Sequence, residues 1–121
     1  MAKNISESGV YEIIVNNLKK EVQILVEGSM MPTQAEEFIA EYKKTVGPLE
    51  AKDLILRLDC RDLKLVTPEL EPSLSFCYDM YKSSGFKQVI FEIIEAPYLK
   101  MQLGRLARKA KLTNAEVVIV D

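Results

Sequence analysis

Val22-Gln23-Ile24-Leu25-Val26-Glu27-Gly28-Ser29-Met30-Met31-Pro32-Thr33-Gln34-Ala35-Glu36-Glu37-Phe38-Ile39-Ala40-Glu41-Tyr42 changes period halfway along. Val22 to Val26 is a short apolar run of strand length. Gly28 to Pro32 interrupts it. Beyond the break, Ala35, Phe38, Ile39, Tyr42 and Val46 recur at the 3.6-residue spacing of an amphipathic helix. Thr33 reads as the N-cap and Glu36, three residues on, as its capping-box partner. Gly47-Pro48 ends the helix. The stretch is therefore strand, turn, helix, the first half of a strand–helix–strand crossover.

The same grammar extends both ways. Upstream, Tyr11, Ile13 and Val15 alternate with Glu12 and Asn16, and Asn16 to Lys20 is a turn. This predicts a hairpin between the first two strands. Residues 1–9 are polar and read as a disordered or frayed terminus. Downstream, Leu54-Ile55-Leu56-Arg57-Leu58 reads as a central strand covered on both faces. A second helix over roughly 70–83 puts Leu70, Leu74, Cys77 and Tyr81 on one stripe, and Gly85 ends it. Val89 to Ile94 is another central strand. Pro97 opens a third helix with Leu99, Leu103, Leu106 and Ala110 on one face, and Val117 to Val120 is the last strand. The order ββαβαβαβ predicts one mixed, mostly parallel five-stranded sheet with three helices, an α/β fold. Length agrees: 121 residues suit a single domain, here 10–121.

Composition excludes several chemistries. The chain has no histidine, hence no His general base, His metal ligand or Ser-His pair. It has no phosphate-binding Gly-rich loop and no zinc-site spacing. Cys60 and Cys77 read as reduced, buried fillers. A net charge of −2 offers no overall basic field for nucleic acid. Lys100, Arg105, Arg108, Lys109 and Lys111 make the third helix basic, which reads as a solvated outer face. With no long apolar run and no leader-like start, a soluble cytoplasmic protein is expected, without membrane insertion. No enzyme, cofactor or metal is expected.

Three stretches carry a resemblance. They are VQILVEGSMMPTQAEEFIAEY, LILRLDCRDLKLVTPEL and KSSGFKQVIFEI. Over roughly residues 10–121 they resemble the STAS domain family, named for sulphate transporters and anti-sigma-factor antagonists. The resemblance implies a bacterial regulatory module that binds a protein, such as a kinase-like anti-sigma factor. Many members carry Asp-Ser-Ser-Gly after the central strand, with a phosphorylated hydroxyl. Counted back from Gly85, Thr67, Pro68, Glu69 and Leu70 fall on those positions, so the usual serine is replaced by a carboxylate. Lys111 likewise stands where a glycine often precedes the residue matching Leu112.

Candidate residues follow. Pro72 must lie in the first turn of its helix, so Glu69 sits at or beside the helix start. Glu69 is either a permanent stand-in for a phosphate or an ordinary acid at a helix end. Thr67 is the loop's remaining hydroxyl, a phosphorylation candidate or a turn threonine bonded to nearby backbone. Met30 and Met31, in the turn after a parallel strand, would join Thr67, Glu69 and the Glu95-Ala96-Pro97 turn at the edge where ligands usually bind. Ser73, Phe76 and Met80 follow Glu69 at helical spacing and would extend a partner-binding face. The leading expectation is a non-enzymatic protein binder. The alternatives are a carrier of a small molecule or lipid, marked by an apolar pocket of about 300 Å³ or more, and a structural subunit of a larger complex. The sequence carries no signal for the oligomeric state.

Overall fold

The structure is a computed structural model that describes residues 2–5, 9–28, 32–63, 68 and 70–120, for 2–5, 9 and 32 through the backbone alone. Strands β1 (Ala2–Ile5), β2 (Gly9–Asn16) and β3 (Glu21–Gly28) precede helix α1 (Pro32–Val46). A single 3-10 turn (Ala51–Asp53) leads into β4 (Ile55–Asp59). Helix α2 (Glu71–Ser84), β5 (Gln88–Ile93), α3 (Pro97–Lys109) and β6 (Ala115–Ile119) follow. The five strands and three helices read from the sequence are all present in the expected order, in one mixed sheet. The strands lie side by side in chain order, β1 to β6.

Two expectations about the first helix and the terminus need correction. The terminus read as frayed contains β1, paired antiparallel to β2 from Ala2↔Ile13 to Ile5↔Val10. An edge strand leaves a row of N–H and C=O groups unpaired, and even a short segment with no apolar alternation can satisfy them. Helix α1 begins at Pro32, so Thr33 lies inside its first turn and is not its N-cap. Proline suits the first helical position because its φ is already helical and the missing N–H would have had no intrahelical partner. At the other end of α1, Gly47 N–H donates to Lys43 C=O at 3.0 Å. A Cβ on Gly47 would stand 2.6 Å from that oxygen, so the close approach requires glycine.

Strands β3 to β6 run parallel, each added to the same side of the last. Crossovers of one hand in one direction place every helix on the same face of the sheet. Accordingly α1 packs on α2 and α2 on α3. Val22 and Ile24, Leu56 and Leu58, and Val89, Phe91 and Ile93 point into this helical layer and are buried. Their alternates, Gln23, Leu25, Ile55, Arg57, Ile90 and Glu92, are only half-buried. The central strands are thus covered on one face, not on both as their apolar runs suggested. A second layer would have required the strand order to reverse.

Within the covered layer an aromatic chain ties four elements, β2, α1, α2 and β5, together. Tyr11 meets Phe38 edge-on at 5.5 Å, and Phe38, Tyr42, Tyr81, Tyr78 and Phe91 continue it at 5.1–6.2 Å between ring centroids. Such pairs add about 0.5–1.5 kcal/mol each beyond the area they bury. Their hydroxyls are accommodated: Tyr42 shares a 2.7 Å hydrogen bond with Ser84 Oγ, and Tyr78 donates to Leu103 C=O at 3.3 Å. Burial pushes the Tyr42 hydroxyl up to about 12.

Candidate functional site

The edge formed by the carboxyl ends of the parallel strands begins with Gly28. Its φ of +74° is left-handed, and its N–H donates to Asp62 C=O at 2.9 Å. Gly28 also bridges Leu63, so the end of β3 lies against the segment after β4. Cys60 N–H donates to Glu92 C=O at 2.8 Å, holding the same segment to β5. Met30, Met31, Thr67 and Glu69, which the sequence assigned to this edge, lie outside the described residues.

Helix α2 starts at Glu71 with Leu70 as N-cap, and Pro72 falls in the first turn as its missing N–H demands. Leu74 N–H reaches Leu70 C=O at 3.0 Å. Glu71 is tied to Arg105 of α3 at 3.3 Å, so one cation of the basic helix has a structural partner. Ser73, Phe76 and Met80 do not form one open face. Ser73 is half-buried and lines an apolar cavity with Leu74, Cys77 and Tyr81, residues of the stripe it was separated from by spacing. Met80 is 9 % exposed and lines a cleft against α1 beside Tyr42 and Val46. Phe76 alone is open, at 46 %, with Lys43 Nζ 5.5 Å from its ring centroid. The reason is position: α2 lies between α1 and α3, so it buries a flank as well as the stripe facing the sheet.

The cavity under α2 has a volume of about 70 Å³, and its lining includes Val26, Phe38, Leu58, Cys60, Cys77 and Phe91. Both cysteines are buried and unpaired, as fillers should be. Burial pushes each thiol up to about 12, so neither forms a ready thiolate. Among the described residues no group of three His, Cys, Asp or Glu side chains is placed to hold a metal ion. Nor is any helix there long and apolar enough to cross a membrane.

Sequence reading missed Arg57. It stands at the centre of the helix-free face, donating to Glu21 at 2.8 and 3.0 Å and to Glu92 at 2.9 Å. The bond from Arg57 is the main force holding the Glu21 carboxyl below its ordinary range, against the opposing effect of burial. Beside it Arg61 clasps Asp59 at 2.8 and 2.9 Å and lowers that carboxyl in the same way. The signal was available: an arginine in mid-strand between leucines points to the face opposite theirs.

Exposed large apolar side chains gather at one end. Ile94 and Ile119 stand at the carboxyl ends of β5 and β6, and Tyr98 and Met101 in the first turns of α3. Leu18, 98 % exposed, is at the tip of the β2–β3 hairpin, at the opposite end of β3. No protein-family model matches the chain, and no curated protein matches it.

Proposed function

We propose that the chain is a non-catalytic regulatory module of STAS-like design that binds a protein partner at the carboxyl edge of its parallel strands and the open flank of α2. The observation that carries this reading is the exposure of Tyr98 and Met101 in the first turns of α3 with Ile94 and Ile119 at the strand ends of the same edge, while Phe76 stands open on the α1 side of α2. Large apolar groups kept in water at one end of a molecule favour burial against another protein. Two cavity properties weigh against a carrier. The apolar cavity, at about 70 Å³, is well below the roughly 300 Å³ of ordinary ligand sites. The larger clefts are open and partly lined by charged side chains.

The resemblance supplies the partner class, a kinase-like anti-sigma factor in a bacterial cytoplasm, with Glu69 as a fixed charge and Thr67 as the hydroxyl open to modification. A carboxylate carries one charge against roughly −1.5 to −2 for a phosphate, so Glu69 would lock one state of the switch only partially. The test is affinity capture from the native cell, identification of the partner, and isothermal titration of that partner against wild type, Phe76→Ala and Glu69→Gln. We expect Phe76→Ala to weaken binding at least tenfold with unchanged circular dichroism, and Glu69→Gln to change affinity measurably. Equal affinities for all three proteins would overturn the reading. Mass spectrometry of protein from its own cells tests Thr67, and phosphate on Ser73 or Ser75 would move the switch into α2.

A further inference from the structure

The outer edge of β6 and the flank of α3 above it form a second surface, apart from Phe76. β6 is the last strand of the sheet, and β5 occupies one of its two edges. Backbone bonding defines what is left. Asn114 C=O accepts from Val89 N–H at 3.1 Å, and Val120 N–H donates to Ile93 C=O at 2.8 Å. Successive residues of a strand aim their polar groups to opposite sides, so the even-numbered residues of β6 serve β5. Val117 and Ile119 aim theirs outward, where no strand pairs among the described residues.

Above this edge runs a cleft of about 590 Å³, with Val117 and Ala115 as its floor. Its wall is one stripe of α3: Lys100, Gly104 and Arg108, each a turn apart, with Lys111 at the end. Arg105 is held by Glu71, whereas Lys100, Arg108 and Lys111 have no carboxylate partner among the described residues. Two local preferences are broken here. Gly104 sits in mid-helix, where glycine is a poor former. A Cβ on it would meet only the flexible end of Arg108, at an ordinary van der Waals distance of 3.4 Å. Lys111 takes φ of +59°, left-handed, where a Schellman turn ordinarily places glycine. Its Leu112 N–H to Ala107 C=O and Lys111 N–H to Arg108 C=O bonds, at 2.9 and 3.1 Å, complete that turn. Broken local rules that converge on one cleft are the mark of a functional surface.

We propose that this edge binds an extended acidic segment of another protein, added to the sheet as a seventh strand. The outward N–H and C=O groups of Val117 and Ile119 supply the ladder, and the cations of α3 read the side chains on the helical side. Spacing fits. Lys100 and Arg108, eight residues apart on a helix, are separated by about 12 Å. Acids four residues apart on a strand are about 13 Å apart. On the open side the new strand would lie beside Glu116 and Val118, so uncharged residues belong at the alternate positions. A symmetric pairing of two β6 edges would bring two cationic stripes together, which disfavours a second copy of this chain.

The probe is a capped, fluorescein-labelled peptide, Val-Glu-Val-Thr-Val-Glu-Val, measured by fluorescence anisotropy against the whole protein. Controls are the same peptide with lysine for glutamate, and two forms N-methylated on the odd or on the even residues. We expect the acidic peptide to bind, and its affinity to fall at least tenfold in Arg108→Glu and in Gly104→Leu, which fills the cleft. One of the two N-methylated forms should lose binding, since only one set of N–H groups faces β6. Amide exchange at Val117 and Ile119 should slow in the complex, and Phe76→Ala should bind as wild type does. No binding, equal affinity for the lysine peptide, or equal binding of both N-methylated forms would overturn the proposal. The cations would then only guard an exposed edge against aggregation.

Discussion

At the scale of single residues, Lys111 shows how a backbone angle can reveal a conflict between stability and position. A left-handed L-residue costs about 1–2 kcal/mol that glycine avoids. We expect Lys111→Gly to raise unfolding stability by about 1 kcal/mol in urea melts while weakening the acidic peptide at the β6 edge. A stability unchanged within error would mean the turn relaxes around the lysine. Glu21 makes a second case, through pH. Its ordinary value is 4.5, and the Arg57 hydrogen bond holds it lower in the fold. A carboxyl with a depressed folded value contributes stability above its ordinary value and loses that contribution as the pH falls through the folded one. The urea midpoint of wild type should therefore fall from pH 7 to pH 3, and Glu21→Gln should flatten part of that fall. A Gln variant with the same slope would remove Glu21 from the account. The residues that show these effects differ in legibility. Lys111 stood out only through the resemblance, which puts a glycine at its position, whereas the partners of Arg57 lie 36 and 35 residues away and no local pattern joins them.

At the scale of elements, α2 is the instructive helix. Of the stripe read from its period, Cys77 and Tyr81 are buried and Leu70 and Leu74 half-buried, while Tyr78, which that stripe left out, is fully buried. The period says nothing of what lies at the helix's sides. Because α2 is the middle helix of three, Met80 is lost to the α1 side and Phe76 stays open. Met80→Ala should cost about 2–3 kcal/mol, the low end for a buried methionine. Phe76→Ala should cost under about 1 kcal/mol, since it surrenders only half-buried area and an exposed cation–π contact. Chemical denaturation of the two variants checks the difference, and similar losses would put Phe76 inside the core. The starts of α1 and α2 carry the same lesson on a smaller scale. Pro72 correctly confined the beginning of α2, because a missing N–H is a hard constraint. Thr33 misplaced that of α1 by suggesting a cap where Pro32 already opens the helix.

At the scale of the whole molecule, the two cysteines report the integrity of the layer between sheet and helices. They come from β4's end and from α2, and their thiols are pushed up to about 12. In the folded protein at pH 8 both should resist an aromatic disulfide reagent, and their labelling rate should rise with urea along the global unfolding curve. Labelling of either at low urea would reveal local opening of the cavity around them. The element order, the hairpin, the parallel strands and the main apolar stripe of each helix were determined by the sequence alone. Each rests on a signal confined to a few neighbours: alternation in Tyr11 to Val15, the 3.6 period from Ala35 to Val46, the stop at Gly85. The uncovered face of the sheet, the Arg57 cluster on it, the burial of Met80 and the free edge of β6 beneath a cationic stripe were decided only by the tertiary structure. Those depend on the side from which each strand joins the sheet and on which elements become neighbours, and these are long-range choices of packing that a local period does not encode.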